Sequence, residues 1–596
     1  MVDVPLALHP RRAPICIGVV GHLDVHPDDE ALAAERFVEL LDRVAAEFPS
    51  TPLRLLSPLA VGADRIAARA FIRAREALAA KRPDLATRWE LVVPMPLPRD
   101  LYVADFPDAI NEFDDLLAKA SLAFSLPARP GSSVKDLSRH GEPRDKQYQD
   151  ASRYVATHCD ILVAIWDGLD PGKIGGTCDA IRLRLRAHVA SERMHFSPLA
   201  EIARPVLHVP VRRIRTDAVA MPAADLVRDP LVSTDVPAVI GLAEGLGNID
   251  RFNALSGKLP PQPFHASVAW CMGAEIRDRV LVPGLSRSRR DCLELFATAD
   301  AIATRLGRRW ERLTRAVYAL GIASVSILPF AVEGFGLPWS VIAYFGGLAV
   351  AAALVLWMRR QSVEDDHVES RALAEMLRIQ FAWLFSDMPD RDNPRNPSVT
   401  EGVEVQKPVM AILLGQQQRE MGWIARVLTH LVLVRHPERD ELPAELRRKV
   451  VEDWIDGQMG YCRKSASRAE KRVHGAERVT MPLVVIALCF AMGAAFLAFL
   501  GDGHMLLRHV CVALSAALPI AAIVIENAVD RIGGGDHARM RKRLAEIYAA
   551  SRKLLSREDL PAETRTRVLT ETGREAVAEA TTWLFLRRIR PVKVSI

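Results

Sequence analysis

Three short stretches carry residues suited to holding an anion. They are Gly21-His22 at the end of PICIGVVGHLD (14–24), Ser57 to Asp64 in SPLAVGADRIAA, and Gly168 to Thr177 in DGLDPGKIGGT. Each follows an apolar run that reads as a strand, and the second and third lead into helices. Glycine lets a backbone approach a phosphate closely, and a helix N-terminus adds unpaired N–H groups and the positive end of its dipole. The three turns, Gly21-His22, Ser57 to Asp64 and Gly168 to Thr177, are therefore the candidate places for an anion. Thr177 can both cap its helix and offer a hydroxyl. Plainer uses stay open: Asp64 as a helix N-terminal charge, His22 as a structural histidine, Gly175-Gly176 as a simple connection. Eight cysteines form no CxxC pair and no Cys/His cluster at ligand spacing, so neither zinc nor a disulfide scaffold is expected. No catalytic set and no metal site is assigned.

The elements that would position these turns alternate. Strand-like runs at 14–24, 53–57, 89–96, 121–127, 159–168 and 204–211 are interleaved with helical patterns near 28–47, 63–80, 108–120, 144–158 and 178–192. Continuously apolar strands such as CDILVAIWDG suit a parallel sheet covered on both faces. This predicts a Rossmann-like, doubly wound α/β domain over 1–211, with ligands outside the carboxyl ends of the strands. Residues 212–292 form a connector with little legible pattern.

At 596 residues the chain exceeds one core, and the excess in its 49% apolar content is concentrated in four runs after residue 315. The net charge of +5 is too mild and too dispersed to imply nucleic acid. No apolar run follows the first basic residues, so no secretory signal is expected. Four uncharged runs, 316–332, 337–358, 480–501 and 510–525, approach the length of roughly 20 residues that spans a bilayer. With flanking residues they give spans at about 316–335, 337–358, 480–501 and 505–526, arranged as two hairpins. Arginines and lysines flank the hairpins outside their tips, which predicts a multi-pass membrane protein with cytoplasmic N- and C-termini. Small residues recur four apart, as in Ala491/Ala495, Ala494/Ala498 and Ala513/Ala517/Ala521, a spacing that allows close helix packing. No charge lies mid-span, so the spans carry no visible proton relay.

Residues 359–385 read as a cytoplasmic helix leaving the second span, 388–407 as a loop, and 408–434 and 442–478 as helices again. Leu373-Ala374-Glu375 is echoed by Leu544-Ala545-Glu546 after the second hairpin, which suggests a duplicated unit.

GHLD, SPLAVGADRIAA, PMPLPRDLYVADF, YVATHCDILVAIWDG and GKIGGTCDAI, in this order over about 12–211, resemble the SLOG family of Rossmann-like nucleotide-binding domains. Residues 293–596, with RALAEMLRIQFAW and the closing pattern Glu579, Trp583, Arg587 and Arg588, resemble the SLATT membrane domains of bacterial conflict systems, though with two hairpins instead of one. The resemblance implies a sensor-effector that binds a nucleotide-derived signal and permeabilises the bacterial inner membrane in antiphage defence, and it makes Gly21, His22, Ser57, Gly62, Ala63, Asp64, Arg65, Asp167, Gly168, Gly175, Gly176 and Thr177 the candidate ligand-binding residues. It would act as a homo-oligomer in lipid, paired with a signal-producing enzyme. The wider family includes the Lonely Guy phosphoribohydrolases, whose catalytic glutamate lies three residues after the threonine; here that position is Ala180. A membrane-tethered nucleotide or NAD hydrolase, using Asp64, Asp167 or Asp179, is thus the alternative, and a scaffold without small-molecule ligand the second. No cofactor beyond the nucleotide-type ligand is expected.

Overall fold

The computed structural model describes residues 9–129, 132–170, 176–193, 204–214, 225–272, 287–332, 338–385, 422–432, 444–500, 504–533, 535–557 and 559–589. They divide into two compact units. The first draws on Met1–Gln262, Val280–Thr298 and Asp387–Pro443, the second on Pro263–Arg279, Ala299–Ser386 and Ala444–Ile596.

The first unit is a parallel sheet. Its strands are β1 (Ile15–Gly21), β2 (Leu53–Leu56), β3 (Glu90–Met95), β4 (Leu122–Ser125), β5 (Ile161–Trp166), β6 (Val206–Pro210) and β7 (Val232–Ser233), and they lie in the order β4-β3-β2-β1-β5-β6-β7. The helices α1 (Pro27–Glu47), α2 (Ala63–Lys81), α3 (Ile110–Ala118), α4 (Glu142–His158) and α5 (Thr177–Arg193) connect them. The α/β expectation therefore holds. Every residue of β5 is buried, which is why its sequence shows no alternation. The chain moves outward from β1 on one side through β2, β3 and β4, then returns to the other side of β1 with β5. The strand order thus reverses at the β1/β5 seam.

The unit extends past residue 211. Helix α6 (Leu246–Ser256) carries Asn253, fully buried, whose carboxamide accepts from the Ala13 amide at 2.8 Å and donates to the Ala13 carbonyl at 2.8 Å. One side chain thereby satisfies both polar groups of a buried backbone residue.

Two further segments dock at the amino-terminal rim of the sheet. The first turns of α7 (Arg287–Val332) bring Arg287 to Glu90 (2.6 Å), which also holds Arg54 (2.9 Å). Helix α8 (Pro338–Arg360) and helix α9 (Val363–Phe385) precede α10 (Gly422–Val432), which returns to the first unit. There Trp423, Ile424, Val427 and Leu428 are buried, and Arg426 (3.1 Å) and His430 (3.3 Å) both reach the Asp160 carboxylate.

The second unit is helical: the remainder of α7, then α8, α9, α11 (Ala444–Phe499), α12 (Met505–Gly533), α13 (Gly535–Leu555) and α14 (Ala562–Ile589). Among the described residues three helices are long and apolar enough to cross a membrane: Val341–Arg360, Arg448–Phe499 and Met505–Val529. The expected first span is not one of them. Its run continues the arginine-bearing helix α7 as far as Val332, and its last residues, 333–335, lie outside the described residues. The apolar surfaces of α8 and α11 face outward, with Ile342 71% and Met481 69% exposed, as lipid-facing side chains would be. Between α11 and α12 the contact is made of small residues: Ala494, Ala513 and Ala517 are buried, whereas Ala491 and Ala495 face outward. Gly347 of α8 meets Ser324 of α7 so closely that a Cβ would lie 2.1 Å from the serine Oγ.

Candidate functional site

The seam between β1 and β5 brings two of the three turns together. The His22 amide donates to Ile165 O (3.1 Å), extending the ladder by one residue past the strand end. The His22 carbonyl accepts from Ala63 N (3.0 Å), the first amide of α2. Gly62 makes this possible: its φ is +83°, and a Cβ there would lie 2.4 Å from the His22 carbonyl. Gly21 is equally constrained, since a Cβ would sit 2.3 Å from that of Ala63. The sequence reads these glycines as room for a phosphate; in the structure part of that room holds one loop against another.

Across the seam, His22 Nε2 lies 3.0 Å from Asp167 Oδ1 and 3.2 Å from the Asp167 amide. These neighbours ask for opposite roles, a donor to the carboxylate and an acceptor from the amide. Burial lowers the His22 pKa below its ordinary 6.5, against the pull of Asp167, so the ring is neutral at pH 7. A neutral ring with one proton satisfies only one of the two neighbours at a time, and an anion arriving here would favour the doubly protonated form. Asp167 Oδ1 also accepts from the Leu169 amide (3.0 Å), shaping the turn after β5.

The second turn is internally bonded. Ser57 Oγ donates to Asp64 O (3.2 Å) and accepts from Leu59 N (3.3 Å), while Asp64 Oδ2 accepts from Ala60 N (3.2 Å). Burial pushes the Asp64 carboxyl up to about 7, the Ala60 amide opposing it. An anion approaching the start of α2 therefore meets a group half-ionised at neutral pH. Arg65 points elsewhere: its guanidinium donates to Leu59 O (3.1 Å), Ala109 O (2.9 Å) and Glu112 (2.8 Å) and lies over the Phe106 ring. It props the loop from beneath.

The third turn enters α5 at Thr177, with Gly176 O accepting from Ala180 N (3.1 Å); Gly175 lies outside the described residues. Gly168 has a φ of +81°. Ala180, the third residue after Thr177, is fully buried in the core beneath α5. Its neighbour Asp179 accepts from Gln149 (2.7 Å).

Two residues at this rim were not singled out from the sequence. Tyr102, 1% exposed, has no hydrogen-bond partner for its hydroxyl among the described residues, and its pKa is raised by burial and then by Asp64 nearby. His208 donates to Trp166 O at 3.0 Å through Nε2, while its Nδ1 is buried and unpartnered among the described residues. A lone histidine in the strand VLHVP and a tyrosine in LYVADF give no signal beyond core packing.

At the opposite rim Cys16, Asp160 and His430 place three donor atoms within 4.8 Å of one another. The Asp160 carboxylate is already engaged by Arg426 and by the Cys16 amide (2.8 Å), and burial raises the Cys16 thiol pKa, which makes this an ionic clamp and a poor cation site. No protein-family model matches the chain, and no curated protein matches it.

Proposed function

We propose that the chain is a membrane-anchored sensor whose sheet unit binds a phosphate-bearing, nucleotide-derived signal and whose helical unit responds in the bilayer. The observation that carries this reading is the His22–Asp167 pair at the β1/β5 seam, the point where an open parallel sheet offers a crevice. The N-terminal end of α5 at Gly176-Thr177 offers amides to an anion, and His22 a proton. In this reading the candidate contacts are His22, Asp167, Gly168, Gly176 and Thr177, with Gly21, Ser57, Gly62, Ala63, Asp64 and Arg65 shaping the loops behind them. The resemblance to SLOG and SLATT domains supports assignment to bacterial antiphage defence, in which an oligomer permeabilises the inner membrane. A signal-producing enzyme would be the partner.

The test is calorimetry on the full chain in phosphatidylcholine nanodiscs, with ATP, NAD and ADP-ribose as probes, followed by calcein leakage from liposomes. Binding by the wild type, loss in His22→Ala and Gly176→Trp at unchanged melting temperature, and ligand-dependent leakage support the reading. Absence of binding by all three probes, or equal binding by Gly176→Trp, overturns it. The hydrolase alternative has one observation in its favour, since a histidine oriented by an aspartate can serve as a general base. Turnover of NAD or ATP lost in His22→Ala would select it.

A further inference from the structure

The helical unit contains a cavity of about 410 Å³ lined by α7, α9, α11, α13 and α14. Its floor is ionic and balanced. Arg371 reaches Asp300 (2.8 Å) and Glu375 (2.5 Å), Arg378 also pairs with Glu375, and Arg541 pairs with Glu579 (2.9 Å). Tyr461 lies between Arg371 and Arg541, each guanidinium facing its ring at 5.7 and 5.2 Å, and Arg371 leads in lowering its pKa. Three arginines against three carboxylates leave this floor neutral.

The rim is different. Arg308 on α7 and Arg468 and Arg472 on α11 line the mouth and are exposed. Arg468 and Arg472 are four apart, hence on one face of α11. Among the described residues neither Arg308 nor Arg472 engages an ion pair through its guanidinium, and Arg468 donates only to the Lys464 carbonyl (3.3 Å). Of the two acids in the lining, Glu375 belongs to the floor and Glu311 is drawn to Arg315 (3.2 Å). The excess positive charge therefore stands at the mouth of a cavity of small-ligand size. Three guanidiniums in one lining, with Glu311 drawn to Arg315 and Glu375 held in the floor, match the oxygens of a phosphate group.

We propose that this cavity is an anion site, distinct from the sheet rim, that takes a phosphate-bearing group between Arg308, Arg468 and Arg472. Such a group has two sources, an anionic lipid head or a soluble polyphosphate. Arg472 lies seven residues before the apolar run that begins after Arg478, and Arg468 eleven, so they stand roughly 10 and 16 Å along the helix from that run. A headgroup layer is only about 5–8 Å deep, which places the cavity beyond lipid heads and favours the soluble source.

The experiment uses the full chain in nanodiscs of pure phosphatidylcholine or of phosphatidylcholine with cardiolipin. Pyrophosphate binding is measured by calorimetry in the wild type, in a triple variant Arg308→Gln, Arg468→Gln, Arg472→Gln, and in His22→Ala. The expected result is pyrophosphate binding in pure phosphatidylcholine, weakened at least about tenfold in the triple variant and retained in His22→Ala. Competition by cardiolipin, with cardiolipin retained on purification by the wild type and lost by the triple variant, assigns the same cavity to a lipid head. If the triple variant binds pyrophosphate and retains cardiolipin as the wild type does, the proposal is wrong. Melting temperatures of the variants, whose changes are all at exposed side chains, separate loss of binding from loss of fold.

Discussion

Asp160→Asn removes one charge from the rim where α10 docks, and its cost can be worked from the contacts. The carboxylate is 1% exposed and holds Arg426 at 3.1 Å, His430 at 3.3 Å and the Cys16 amide at 2.8 Å. Its pKa is lowered well below the usual carboxylate range despite full burial, chiefly by His430 and Arg426, so it is charged throughout the working pH range. Asparagine keeps an oxygen for the Cys16 amide but leaves the Arg426 guanidinium, itself only 5% exposed, without its counter-charge. Breaking a buried pair in this one-sided way costs about 3–5 kcal/mol, equivalent to a hundred- to several-thousand-fold change in an equilibrium constant, roughly. The loss should fall on the docking of α10. Amide hydrogen exchange of 422–432 is therefore expected to accelerate by about two to three decades, while the strand amides of β3 stay protected. The sign with pH follows from the depressed pKa: the stabilisation is complete above the unfolded value near 3.8 and is lost only as pH falls through the lower folded value. Wild-type protection of 422–432 should accordingly persist at pH 5. Unchanged exchange of 422–432 in Asp160→Asn would refute the clamp.

Asp64, raised to about 7 by burial, disfavours folding progressively as pH rises from its unfolded value near 3.8 to 7. Asp64→Asn should thus raise the melting temperature at pH 8 and leave it nearly unchanged at pH 4; a gain of the same size at both would contradict the burial argument. Because His22 is neutral when free, binding a phosphate probe at the seam should take up a proton above pH 6.5, read as a dependence of the calorimetric heat on buffer ionisation enthalpy. The uptake should vanish in His22→Ala, and heat independent of buffer in the wild type would remove His22 from the site. Gly347→Ile should destabilise the α7/α8 contact by about 1–3 kcal/mol, whereas Gly346→Ile, where an added Cβ meets nothing within 4 Å, should be tolerated. Equal melting of both variants in detergent would show that these helices do not pack there.

The strands were legible because parallel strands buried on both faces are spelled as continuous apolar runs, and ILVAIW and ICIGVVG have no other plausible use. β7, two residues long, leaves no such mark. The three turns do follow strands, as their place in the sequence predicts, but the internal roles of their residues are not readable from it. Gly62 serves the His22 carbonyl, and Arg65 turns beneath the loop to Glu112, forty-seven residues later. The pairing of His22 with Asp167 spans 145 positions, and Asn253 reaches Ala13 across 240; no local period encodes such contacts. The same holds for α10, whose amphipathic pattern announces a helix while its target, Asp160, lies 266 residues away. Glu579 and Trp583, quoted for a family pattern, turn out to have structural partners in Arg541 and His367. Three of the four expected spans are long, apolar helices, and the first, 316–335, ends outside the described residues.

One pair of adjacent strands joins the two rims. β1 runs from Cys16 at the clamp to Gly21 beside His22, and β5 runs from Asp160's neighbour Ile161 to Trp166 beside Asp167, in a register that sets Gly21 against Ile165. The distance along either strand is roughly 20 Å. Any tightening of the seam by a ligand therefore acts on the two strands whose other ends hold Arg426, His430 and the amide of Cys16. Coupling between two sites is reciprocal, which makes the connection measurable from both sides. If ATP bound at the seam slows exchange of 422–432 by a given factor, Asp160→Asn should weaken ATP binding when the clamp is open, in a proportion fixed by that factor. Slowed exchange without any loss of affinity in Asp160→Asn would break the thermodynamic cycle and separate the clamp from the ligand site. Equal and opposite changes would establish the β1/β5 ribbon as the element that both sites bias.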